Sequence, residues 1–139
     1  MTDPDCLFCA IVAGRVPSSQ VYSDDLVVAF LDIRPLTTGH LLVVPRTHAP
    51  SLASLPEPTG AHMFTTAQRL AAAVRASGLP CEGVNLFLAD GAVAGQEVFH
   101  AHLHVLPRNT GDGFSVTGQR REPDRAELDT TATLIRAVL

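Results

Sequence analysis

The chain has 139 residues, 46% hydrophobic and 17% charged, with a formal net charge of −4 and a sequence pI near 5.8. That length is enough to bury a core as one domain, taken here as residues 1–139, and the apolar fraction is that of a globular chain rather than a disordered one. The acidic balance excludes a protein that grips nucleic acid through a basic stripe, while a small anionic ligand held by backbone donors stays within reach.

In chain order, Cys6 to Ala13 is compact and apolar and is stopped by Gly14, which predicts a short helix. Pro17-Ser18-Ser19 begins an extended stretch, with a first strand at Val21-Tyr22, a polar turn at Asp24-Asp25 and a second strand from Val27 to Leu31. Asp32 to Gly39 contains Pro35 and Gly39 and reads as a loop, and His40 to Val44 is a third strand ended by Pro45. From Thr59 to Ser77 the period changes: Met63, Ala67, Leu70 and Val74 recur at helical spacing, with Gly78 as the stop. Val84 to Leu88 and Val98 to Leu106 read as the last strands, separated by a small-residue loop from Asp90 to Gly95. The tail, 109–139, opens with turn residues and ends in a helix carrying Leu128, Ile135, Val138 and Leu139. Adjacent strands with one long helix between them predict an α+β fold with a mainly antiparallel sheet and short N- and C-terminal helices.

Three cysteines, two of them in a Cys6-x-x-Cys9 pair and Cys81 alone, do not make a secreted disulfide framework. The polar, acidic start does not read as a secretory signal, and no apolar run approaches the ~20 residues of a membrane span. The expectation is a cytoplasmic protein with no membrane partner.

The unusual feature is histidine. There are six, and three of them alternate in His100-Ala101-His102-Leu103-His104. On a strand that period puts the three rings on one face and Ala101, Leu103 and Val105 on the other, whereas on a helix residues two apart diverge by about 200°. Three readings stand: a solvated polar face, a zinc site with up to three histidine ligands, or nucleophilic catalysis by an imidazole.

The run resembles that of the histidine triad (HIT) family of nucleotide hydrolases and transferases. Cys6-Leu-Phe-Cys9, Ala29-Phe-Leu-Asp32, Pro35-x-x-x-Gly39-His40, Val44-Pro45 and Gly95-Gln96 stand in the family's order, so the likeness covers roughly residues 6–108. The resemblance implies a HIT-like fold with a five-stranded sheet. It also implies attack by His102 on the α-phosphorus of a purine nucleotide, either a nucleoside phosphoramidate or a dinucleoside polyphosphate, through a nucleotidyl-histidine intermediate. His104 and His40 would assist, Asp32 would accept from the ribose hydroxyls, and Gln96, Glu97 and the backbone beside them would face the phosphate and leaving group. Phe8, Ile11, Phe30 and Ile33 would line the base pocket. Two positions depart from the family pattern: Glu97 where Ser or Thr is frequent, and Ala89 where Asn or Gln is frequent. The likeness further implies a structural zinc ion on Cys6, Cys9, His48 and His100, and a homodimer. His62 is left as a surface residue and Cys81 as a loop or core thiol. Two other functions stay in view: a zinc-dependent hydrolase with the triad as ligands, and a nucleotide-binding module with little turnover.

Overall fold

A computed structural model describes residues 2–139. Five strands, β1 (Gln20–Ser23), β2 (Val27–Leu31), β3 (Leu41–Pro45), β4 (Gly83–Phe87) and β5 (Leu103–Arg108), form one sheet in the order β1-β2-β3-β5-β4, every neighbouring pair antiparallel. Three α-helices accompany it: α1 (Leu7–Val12), α2 (Glu57–Ala76) and α3 (Arg125–Arg136). The α+β class, the five strands, the long helix and the two short terminal helices follow the sequence expectation.

The two faces of the sheet have different fates, and the period-two alternation of the strands decides which residue goes where. Val27 and Ala29 of β2, Leu41 and Val43 of β3, and Leu103 and Val105 of β5 turn to α2, meeting Met63, Ala67, Leu70 and Val74. These helix residues are the ones whose spacing marks the apolar stripe in the sequence. Val28, Phe30, Leu42 and Val44 turn the other way, onto Phe8 and Ile11 of α1. Because α1 has only six residues, it covers part of that second face, and the rest is left for a cavity.

Two local readings are corrected. The last strand does not run from Val98: residues 98–102 precede it, and β5 begins at Leu103. The register explains this. Val43 pairs with Leu103, and two residues earlier the Ala101 N–H bonds the Ala49 carbonyl at 2.7 Å instead of continuing the ladder. His62 is not a free surface residue. Its Nε2 lies 2.6 Å from Asp24 Oδ2, and Asp24 Oδ1 accepts the N–H groups of Leu26 and Val27, so α2 is clipped to the β1–β2 turn. The C-terminal helix, capped by the Asp124 carboxylate on the Glu127 N–H, buries none of its residues. Cys81 is a half-buried free thiol packed beside the α2-side core. No helix among the described residues is long and apolar enough to cross a membrane.

Gly39 sets where β3 starts, and so where His40 points. Its φ is +87°, and a Cβ there would lie 3.3 Å from both Leu79 Cδ1 and Pro107 Cγ. A left-handed conformation costs a residue with a Cβ about 1–2 kcal/mol. Gly39→Ala is therefore expected to lower stability by at least ~1 kcal/mol in urea titration. A midpoint equal to wild type would show that the loop relaxes without cost.

Candidate functional site

The open part of the second face is a cavity of about 810 Å³. Phe8 and Ile11 of α1, Phe30 of β2 and Leu42 of β3 form its apolar wall. Asp32, Ile33 and Arg34 come from the loop after β2, and Gly95, Glu97 and Val98 from the segment that leads to the histidines. His40, His102 and His104 line it as well. His102 and His104 share this face because their alternating partners Leu103 and Val105 are committed to the α2 core.

The hydrogen bonds fix which nitrogen of each ring carries its proton, since a carbonyl can only accept and an N–H can only donate. His100 Nε2 is 2.8 Å from the Pro45 carbonyl, so it carries a proton and leaves Nδ1 with a lone pair. His102 Nδ1 is 2.7 Å from the His100 carbonyl, so it donates there and leaves Nε2 as the ring's unprotonated nitrogen. The Leu36 N–H donates to His40 Nδ1 at 3.2 Å, so His40 Nε2 carries the proton and donates to His104 Nδ1 at 2.9 Å. His104 is thereby left with an N–H at Nε2. One face thus presents a lone pair on His102 and a donor on His104, with ring centroids 4.9 Å apart.

The rings are held neutral. Burial pushes the His102 pKa down, against the His100 carbonyl and the charges of Asp32 and Glu97, which favour the protonated form. His104 is lowered to about 3, first by burial and then by the neighbouring His102 and His40 rings. His40 is lowered by burial, with the Asp32 carboxylate opposing. A neutral imidazole is the nucleophilic form, so the apolar setting keeps the lone pair available.

The other predicted residues divide. Asp32 is half-buried, with Oδ1 accepting the Arg34 N–H at 2.8 Å and Oδ2 3.8 Å from His40 Nδ1. Ile33 is almost wholly exposed and stands at the rim rather than in the wall. Glu97 is exposed and pairs with Arg34. Gln96 does not line the cavity. Its buried amide accepts the Gly91 N–H at 2.8 Å and donates to the Pro50 and Val98 carbonyls at 2.8 and 3.1 Å, so its side chain fastens the loop instead of meeting a ligand. Ala89 is a buried methyl. Phe87 and Arg34 are among the lining residues that the sequence reading does not single out. Phe87 stacks on His104 at 4.1 Å between centroids with 14° between planes, which only the β4–β5 register reveals. Arg34 carried no motif.

Behind the cavity lies a second cluster. The ligand atoms of Cys6, Cys9, His48 and His100 all fall within 4.8 Å of one another. Cys6 Sγ to His100 Nδ1 is 3.4 Å, Cys9 Sγ to His48 Nδ1 3.5 Å, Cys9 Sγ to His100 Nδ1 3.6 Å, and the two Nδ1 atoms are 3.4 Å apart. A tetrahedral ion with Zn–S of about 2.3 Å and Zn–N of about 2.0–2.1 Å has S···N edges of about 3.6 Å and an N···N edge of about 3.4 Å. The four residues fit such an ion. His100 points its lone pair into the cluster, and backbone N–H groups of Asp3 and Cys9 reach the Cys9 and Cys6 sulfurs at 3.4 and 3.5 Å. The Asp3 carboxylate lies 3.7 Å from the outer nitrogen of His48, as an orienting carboxylate does behind a metal-bound imidazole. With His100 turned into this cluster, the triad rings do not converge on a single point, which speaks against a metal held by all three.

The chain is similar to known proteins in sequence and in fold. The HIT domain family model matches residues 13–111. A HIT-like protein of Mycobacterium tuberculosis is 43% identical over 137 residues, covering 96% of this chain and 92% of its own. The adenylylsulfatase HINT3 of Arabidopsis thaliana is 38% identical over 109 residues, covering 78% of this chain and 54% of its own. A solved HIT family protein from Bacillus anthracis superposes with a TM-score of 0.92 at 36% identity, over 99% of both chains. A Zn-bound histidine triad family protein from Mycobacterium smegmatis does so with a TM-score of 0.77 at 46% identity, over 96% of this chain and 97% of the other. By sequence and by fold, this chain belongs to the HIT domain family.

Proposed function

We propose that the protein is a nucleotide hydrolase or nucleotidyl transferase that works through a covalent intermediate on His102. The observation that carries this reading is the bond from His102 Nδ1 to the His100 carbonyl. It leaves Nε2 as an unprotonated nitrogen in a cavity with an apolar wall for a base and a carboxylate, Asp32, for ribose hydroxyls.

In the first step, Nε2 attacks the α-phosphorus of a nucleoside phosphoramidate or dinucleoside polyphosphate. The Nε2–P bond forms, and the bond from phosphorus to the leaving group breaks with its electron pair. The ring becomes cationic because Nδ1 keeps its proton, and the bond to the His100 carbonyl strengthens as it becomes charge-assisted. In the second step, water adds to phosphorus, a proton goes to solvent, and His102 leaves as neutral imidazole with the nucleoside monophosphate released. The His104 Nε2–H donates to a non-bridging phosphoryl oxygen. The relay from the Leu36 N–H through His40 holds that donor in place without reorganisation during reaction. The Glu97–Val98 backbone, which lines the cavity, supplies the remaining contact to phosphate.

A zinc ion on Cys6, Cys9, His48 and His100 would supply a closed structural crosslink, with no open position for chemistry. The HINT3 and M. smegmatis names support a nucleotide substrate and a zinc ion respectively. The resemblance to this family likewise supports a homodimer.

His102→Ala is expected to lose about 10⁴–10⁶ in kcat against adenosine phosphoramidate, the scale of losing a nucleophile. Wild type quenched during turnover is expected to show a nucleotidyl adduct by mass spectrometry, and an adduct that persists in His102→Ala would sink the mechanism. His40→Ala, which frees the His104 tautomer, is expected to cost about 10²–10³ in kcat with KM little changed.

The neutral rings also give stability a sign with pH. His104 binds its proton near its ordinary value of 6.5 when unfolded but only near about 3 when folded. The unfolded state therefore holds more protons between those values, and stability rises with pH there. The contribution is complete above about 6.5 and is lost as pH falls toward about 3. Urea midpoints across this window are expected to slope less in His104→Gln than in wild type; equal slopes would refute the assignment.

For the metal, elemental analysis of protein expressed with zinc is expected to give about one ion per chain. Cys9→Ser is expected to lose it, while His104→Gln keeps it. Zinc retained in Cys9→Ser would overturn this ligand set.

A further inference from the structure

Two charged side chains at the mouth of the cavity have no part in the steps above. Arg34, on the loop after β2, and Glu97, on the segment leading to His102, meet across the opening, with Nη2 3.2 Å from Oε2. Their side chains are 84% and 79% exposed, so the pair adds little to stability, and removing either partner leaves the fold intact. Its significance lies in the charge balance of the site. The lining holds two carboxylates, Asp32 and Glu97, against a single guanidinium, Arg34, among the described residues. His40 and His104 stay neutral in their buried setting. The site is therefore net negative, and its one cation is already engaged.

With the base of a nucleotide against Phe8, Ile11 and Phe30 and the ribose at Asp32, the α-phosphate comes to His102 and His104. The leaving group then falls to the remaining wall, where Glu97 stands. An anionic leaving group, such as sulfate or a further phosphate, meets a carboxylate there and no free cation. An amine behaves oppositely. Its nitrogen takes a proton from solvent before the P–N bond breaks, so it carries positive charge beside the Glu97 carboxylate until it departs.

We propose that the Glu97–Arg34 pair sets the leaving-group preference of the site, favouring nucleoside phosphoramidates, whose leaving group is an amine, over nucleotides whose leaving group is an anion. This rests on the nucleotidyl-transfer reading above. The nitrogen first takes a proton from solvent and becomes cationic; the Nε2–P bond then forms, the P–N bond breaks with its electron pair neutralising nitrogen, and the amine departs neutral. The Glu97 carboxylate offsets the charge on the protonated nitrogen. Arg34 is a positioning residue that holds the carboxylate at the mouth.

The test compares adenosine 5′-phosphoramidate with adenosine 5′-phosphosulfate, which share the adenylyl group and differ in leaving-group charge. Wild type is expected to have the higher kcat/KM on the phosphoramidate. Glu97→Gln is expected to raise the phosphosulfate-to-phosphoramidate ratio roughly ten-fold, the effect of one unit charge several ångströms away in partly screened surroundings. That shift is expected to shrink in 0.5 M salt. Arg34→Gln is expected to lower the same ratio a few-fold. A ratio within two-fold of wild type in Glu97→Gln, or a wild-type preference for the phosphosulfate, overturns the proposal.

Equilibrium binding of the two intact compounds to His102→Ala, with and without Glu97→Gln, reads the same discrimination without turnover. A ratio that shifts in binding while wild type turns over neither compound defeats the nucleotidyl-transfer reading alone. A binding ratio that does not move defeats the role of the pair.

Discussion

His100 is held at both of its polar ends, and the site depends on that. Its ring donates from Nε2 to the Pro45 carbonyl at the end of β3, and its own carbonyl accepts from His102 Nδ1. The first bond aims the Nδ1 lone pair of His100 at two sulfurs and the His48 ring, and the second decides which nitrogen of His102 is free. One residue therefore divides two chemistries that its neighbours in sequence would otherwise share. The run looks like a row of equivalent rings, yet only His102 and His104 enter the cavity, while His100 serves it through its backbone. A carbonyl suits this task better than a side chain, because it cannot donate and so tolerates a single tautomer of its partner.

The second condition is burial. The chain has net charge −4, and the cavity holds no free cation among the described residues. Its rings are pressed between Phe8, which meets His102 edge-on at 5.0 Å, and Phe87, which stacks on His104. That setting disfavours the imidazolium form, so the site offers directed N–H dipoles and a lone pair in place of charge. Such dipoles are worth more in the same apolar surroundings, since little water competes for them. The cost is a set of polar groups that must all be satisfied, and the hydrogen bonds of His40, His100 and His102 satisfy them in series.

What the sequence reveals is set by which interactions are local. Strand alternation is local, so the sharing of one face by His102 and His104 is legible from Leu103 and Val105 alone, as is the α2 stripe of Met63, Ala67, Leu70 and Val74. The Cys6-x-x-Cys9 spacing with distant His48 and His100 is legible only through resemblance, and the structure brings those four atoms together. Three readings went astray because distant backbone groups decide them. The last strand starts late because Ala101 bonds the loop at Ala49. The Gln96 amide finds the Pro50 and Val98 carbonyls before any ligand can reach it. His62 meets Asp24 across 38 positions of sequence. Phe87 and Arg34 stayed invisible for a similar reason, since their importance comes from pairing register and from a partner on another loop.

The short α1 helix ties these parts together. Six residues make little more than one and a half turns, too few to persist alone in water. Its first turn is held instead by chemistry outside it. Cys6 caps it, its sulfur accepting the Cys9 N–H, and both sulfurs meet His100 Nδ1. The same helix contributes Phe8 and Ile11 to the cavity wall. The cluster of thiols and imidazoles therefore fixes two things with one set of contacts, the apolar wall of the cavity and the residue whose carbonyl orients the His102 ring. A helix this short leaves the face open, and it needs the cluster to stay where it is.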